Sequence, residues 1–70
     1  MREHDGRVAA YDPHRGLGTV ETADGRHFAF HCTRLADRRR DLPVGTPVRF
    51  TIVPGHLGAW EADTVTRTGG

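Results

Sequence analysis

The sequence predicts an all-β domain, a small closed barrel of five antiparallel strands with one short helical turn. Three observations predict it. The nine glycines and four prolines are spread along the 70 residues instead of pooling in one linker, and spread punctuation means many short elements. The segments between them alternate polar and apolar residues with the two-residue period of half-buried strands. No stretch carries the apolar period of a long amphipathic helix. Short strands joined by turns then favour closure, which removes exposed sheet edges.

The elements follow in order. Residues 6–11 (GRVAAY) form a strand that sets Val8 and Ala10 on one face and Arg7 and Ala9 on the other. Asp12-Pro13 ends it, because proline fixes its own φ and holds the preceding residue extended. Residues 16–22 (GLGTVET) are a second strand, with glycines where the chain bends or another backbone approaches. Asp24-Gly25 is a hairpin turn, since Gly reaches positive φ without a Cβ clash. In residues 26–32 (RHFAFHC), Phe28 and Phe30 face the core while His27, Ala29 and His31 face out. Thr33 is placed to cap one helical turn through Leu35 and Ala36, and 37–41 (DRRRD) is a charged loop. After Pro43-Val44-Gly45, residues 47–53 (PVRFTIV) point Val48, Phe50 and Ile52 inward and Arg49, Thr51 and Val53 outward. Pro54-Gly55 opens a loop to Gly58, and residues 59–67 (AWEADTVTR) are the last strand.

One domain is expected over residues 6–67, with tails at 1–5 and 68–70. A core this small supplies roughly 3–5 kcal/mol. The single cysteine, Cys32, excludes an intramolecular disulfide and reads as a free thiol in reducing cytoplasm. Apolar runs are too short for a membrane span, and residues 1–5 lack the hydrophobic segment of a signal peptide. Ten basic against nine acidic residues give a net charge of +1, which neither demands nor forbids a nucleic-acid partner. All ten basic residues are arginine. The guanidinium makes bidentate phosphate contacts and stacks on bases, although a GC-rich genome also favours arginine.

The order of these features resembles the cold-shock domain, a five-stranded OB-type barrel. The resemblance covers nearly the whole chain. It rests on Gly6-x-Val8, Tyr11-Asp12, Arg15-Gly16-Leu17-Gly18-Thr19-Val20, Asp24-Gly25, Phe28-Ala29-Phe30-His31 and Thr33 to Leu35. Further landmarks are Leu42-Pro43-Val44-Gly45, Val48-x-Phe50 and Gly55-x-x-Gly58. It implies a partner, single-stranded RNA or DNA, stacked on aromatic side chains across one face of the barrel. The chain departs from the family on that face. Ala10, Leu17, Thr19, Ala29 and Cys32 stand where the family carries aromatic residues, and only His31 and Tyr11 keep a planar ring. Five lost stacking groups at about 1 kcal/mol each forfeit about 5 kcal/mol, more than about a thousandfold in affinity if additive. The core positions remain apolar.

The resemblance leaves as nucleic-acid-binding candidates Arg7, Tyr11, Arg15, Leu17, His31, Arg34, Trp60 and the loop arginines Arg38, Arg39 and Arg40. Asp37 and Asp41 bracket that loop, so a solvated charged loop is the competing reading. Trp60 either supplies a relocated stacking surface or plugs the barrel end. The segment from Gly58 to Val65 is one residue longer than the family pattern, which leaves its facing open. His27, His31 and Cys32 do not complete a zinc set, and nothing supplies an oriented nucleophile, so neither a metal, another cofactor nor catalysis is expected. Two functions stay open: a cytoplasmic binder of single-stranded nucleic acid with weakened stacking and arginine contacts to phosphate, and a protein-interaction or regulatory module using the flattened Ala10, Leu17 and Ala29 surface.

Overall fold

The computed structural model describes residues 3–36, 42–55 and 58–68. Five strands, β1 (Glu3–Asp12), β2 (Leu17–Thr22), β3 (His27–His31), β4 (Pro47–Pro54) and β5 (Trp60–Arg67), close into a barrel in the order β1-β2-β3-β5-β4. One 3-10 turn, Cys32–Arg34, follows β3. The fold is therefore the small closed five-stranded barrel with one short helical turn that the sequence predicts. One seam differs from the fully antiparallel expectation, because β3 and β5 run parallel and meet at Ala29 and Glu61.

The alternating apolar positions of β1 to β4 supply most of the interior. Val8, Val20, Phe28, Phe30, Leu35, Val48 and Phe50 are buried, joined by Leu42, Ala62 and Val65, while Ile52 is half-buried against them. The Asp12-Pro13 turn is built as expected. The Asp12 carboxylate accepts the backbone N–H groups of His14 (3.0 Å) and Arg15 (3.3 Å), and Gly16 takes a φ of 66° beside the Cys32 sulfur. At the Asp24-Gly25 hairpin, Gly25 has a φ of 88° and the buried Thr22 hydroxyl bonds the Asp24 carboxylate.

Three local expectations are corrected. The first strand starts inside the expected tail, since Glu3, His4 and Asp5 pair with Thr51, Phe50 and Arg49 of β4. Asp5 also accepts the Arg49 Nε–H at 3.0 Å. The second correction is a bulge at Ala9: Val8 pairs with Val20 but Ala10 pairs with Thr19. A bulge adds one residue and reverses the facing beyond it. Ala10 is therefore exposed rather than beside Val8, and Tyr11 turns toward the core. Third, Thr33 does not cap its turn. His31 leads in with an extended backbone, and the Leu35 N–H closes the turn on the Cys32 carbonyl at 3.2 Å. In β4 the expected facing holds: Ile52 pairs with the buried Ala62 and Val53 with Glu61, the partner of the exposed Ala29.

In β5 the register against β4 shifts between Arg49, paired with Thr66, and Thr51, paired with Asp63. Thr64 has a φ of 49°, which lets Ala62 and Val65 both face inward although three positions separate them. The extra residue read in this segment is thus absorbed as a bulge.

Candidate nucleic-acid interface

The antiparallel pairings set the outer face of β1, β2 and β3 into three rows. Asp12 pairs with Leu17 and Leu17 with His31. Ala10 pairs with Thr19 and Thr19 with Ala29. Arg7 pairs with Glu21 and Glu21 with His27. The middle row has short side chains, so the face forms a shallow depression of about 350 Å³ lined by Ala10, Tyr11, Asp12, Leu17, Thr19 and Ala29. At one end Leu17, 42% exposed, stands beside the exposed ring of His31. Arg15 lies in the turn just before Leu17, exposed and 3.9 Å from the Asp12 carboxylate.

Tyr11 does not offer a free ring to this face. Its ring lies parallel to Phe30, at 4° and 6.0 Å between centroids, and it packs half-buried on the core. The Ala9 bulge is the physical cause, and Tyr11 contributes a wall to the depression instead of a platform.

The arginines are separated around the barrel and matched with acids. Arg7 is at the opposite end of the face from Leu17 and donates to Glu21 at 3.1 Å. His27 reaches the other oxygen of the same carboxylate, also at 3.1 Å. Arg34 sits on the 3-10 turn and meets Asp63 of β5 at 3.5 Å. Arg26 pairs with Asp24 at 3.0 Å and Arg49 with Asp5 at 3.0 Å. The Asp5 partner holds the Arg49 pKa above its ordinary value. Exposed pairs of this kind contribute only about 0–1 kcal/mol, so a phosphate can displace the carboxylate, but each pairing lowers the net attraction for a polyanion. Arg38, Arg39 and Arg40 lie outside the described residues.

Trp60 is not on the three-row face. It pairs with Pro54 at the start of β5 and shares a side of the strand with Ala62, at the mouth of the barrel. The indole is 60% exposed. With His4, Arg26, Phe28 and Ile52 it lines a second depression of about 300 Å³. His4, Arg26 and Ile52 were missed as neighbours of Trp60. Their sequence signal is weak, because the mouth is assembled from the start of β1, the residue after the β2–β3 hairpin and the end of β4.

Among the described residues no group of three or more His, Cys, Asp or Glu side chains is arranged to hold a metal ion. Among them, too, no helix is long and apolar enough to cross a membrane. No family model matches the chain, and no curated protein matches it.

Proposed function

We propose that this protein binds single-stranded RNA or DNA as a cold-shock-like barrel whose stacking is weakened. The observation that carries the reading is the open outer face of β2 and β3, where Leu17 and His31 stand side by side above the Ala10, Thr19 and Ala29 floor. OB-type barrels take oligonucleotides on the face of strands 2 and 3 and on the loops joining strands 1 to 2 and 4 to 5. Arg15 occupies the first of those loops and Trp60 ends the second. The roles proposed are phosphate contact for Arg15, Arg7 and Arg34, edge stacking for His31, and apolar base contact for Leu17. Because the arginines exchange a carboxylate for a phosphate, affinity is modest and falls steeply with salt. The protein acts as a binding module and not an enzyme, in a reducing cytoplasm where Cys32 stays a thiol.

Anisotropy titration of labelled homopolymer oligonucleotides at several salt concentrations tests this. Saturable binding at low salt, with a falling log K against log salt, is expected. No binding at low salt up to high micromolar protein overturns it.

The pairing of Arg7, Arg15, Arg26, Arg34 and Arg49 with carboxylates favours a second reading, a protein-docking module. A flat floor of small side chains lets another surface approach closely, and a charge-balanced rim does not repel an acidic or basic protein. Under this reading a protein partner survives nuclease treatment and oligonucleotides do not compete for the face.

A further inference from the structure

We infer that the barrel mouth around Trp60 is a separate pocket for one nucleobase of the strand, with Arg26 as the contact to its phosphate; this rests on the nucleic-acid reading above. The depression has the size and lining for one planar ring rather than for a helix or a folded surface. Its walls are the exposed Trp60, the largely buried Phe28, the Ile52 side chain and His4. The guanidinium of Arg26 lies over Phe28 at 5.6 Å from the ring centroid. Three rings therefore border the cavity, and the one side chain there that is always charged is cationic. A nucleotide answers both features, since its ring stacks on the indole and its phosphate takes the guanidinium.

The mouth lies one strand over from the middle row of the outer face. Ala29 in the middle row pairs with Glu61, the residue after Trp60. With neighbouring strands about 4.8 Å apart and residues about 3.3 Å apart along a strand, the Trp60 Cα is about 6 Å from that of Ala29, and its indole leaves the sheet on the inner side, at the rim. A strand crossing from Leu17 and His31 over Ala29 reaches the mouth within the smallest OB-fold site size, about 4 nucleotides. Two acids oppose its passage. Asp24 holds Arg26 at 3.0 Å and must give it up, and Glu61, whose carboxylate lies against Gly55, borders the route. The pocket therefore takes the end of a strand already held by the face, and contributes through ring contact more than through charge.

The test is an NMR titration of the full chain with a six-nucleotide homopolymer, following the Trp60 indole N–H and the backbone amides of Leu17 and His31, together with anisotropy on Trp60→Leu and Trp60→Phe. Both sets of resonances are expected to shift together. Trp60→Leu is expected to weaken binding about five- to hundredfold and Trp60→Phe to restore most of it. Because the indole is largely exposed, both variants are expected to keep the parent thermal midpoint. Shifts at Leu17 and His31 with a silent indole, or Trp60→Leu binding like the parent, overturn the pocket while leaving the face intact. Absence of binding by any readout overturns both.

Discussion

Arg7 donates from both Nε and Nη2 to a single oxygen of Glu21, each at 3.1 Å. The other oxygen of that carboxylate holds His27 at 3.1 Å. One acid thus occupies the cation and the imidazole at this end of the outer face. Glu21→Gln removes the charge and leaves Arg7 available to phosphate. The variant is expected to bind oligonucleotide more tightly at low salt, with a log–log salt slope steeper by about 1, and to lose no more than about 1 kcal/mol of stability. Anisotropy at three salt concentrations measures it, and an unchanged slope would show that Arg7 does not meet the strand.

Gly6 is pressed against the partner strand. A Cβ there would run into the Glu21 carbonyl and lie 3.2 Å from the Phe50 ring. A backbone oxygen held in a ladder cannot move aside as a side-chain tip can. Gly6→Ala is expected to cost about 1–3 kcal/mol, a large part of what a domain of this size holds. Urea denaturation followed by Trp60 emission reads the loss as a lower midpoint with an unchanged slope; an unmoved midpoint would contradict the close approach.

Asp24 is held below its ordinary carboxyl pKa of 3.8, chiefly by the Thr22 hydroxyl and secondarily by Arg26, with desolvation opposing them. A carboxyl whose folded pKa is depressed adds stability that is fully present above its unfolded value and is lost as pH falls through the folded one. The parent is therefore expected to exceed Asp24→Asn in thermal midpoint at neutral pH. The gap should narrow below pH 3.8. Melting curves from about pH 7 to about pH 2 check this, and a gap that stays constant with pH would assign the effect to geometry alone.

The strands were legible because their signals are local. Phe28 and Phe30 alternate with His27, Ala29 and His31, and Asp24-Gly25 marks its own turn. The Ala9 bulge was not legible, since no glycine or proline announces an inserted residue there, and the Thr64 bulge showed only as one residue too many between Gly58 and Val65, with its position and facing open. Those bulges decide the site. The first turns Ala10 outward and Tyr11 onto Phe30, and the second sets both Ala62 and Val65 inward. Charge pairing was hidden for a different reason. Glu21 lies 14 residues from Arg7 and Asp63 lies 29 from Arg34, so the neutralisation of both arginines exists only once the barrel closes.

Ala29 stands at the centre of the outer face, exposed, between Thr19 of β2 and Glu61 of β5. Its side chain touches the solvent side of a strand whose inner side is already filled by Phe28 and Phe30. A larger residue here meets no core atom, so Ala29→Phe is expected to leave the folding stability within about 0.5 kcal/mol of the parent. It places a flat ring beside Leu17 and His31, where a base crossing the floor must lie. One recovered stacking contact is worth about 1–3 kcal/mol, or about five- to hundredfold in affinity. The gain should be similar for different homopolymers, because every base has a π-face. If Ala29→Phe folds normally and binds no better than the parent, the strand does not cross the middle row. The surface of β1 to β3 then belongs to a protein partner, whose docking the added ring would instead obstruct.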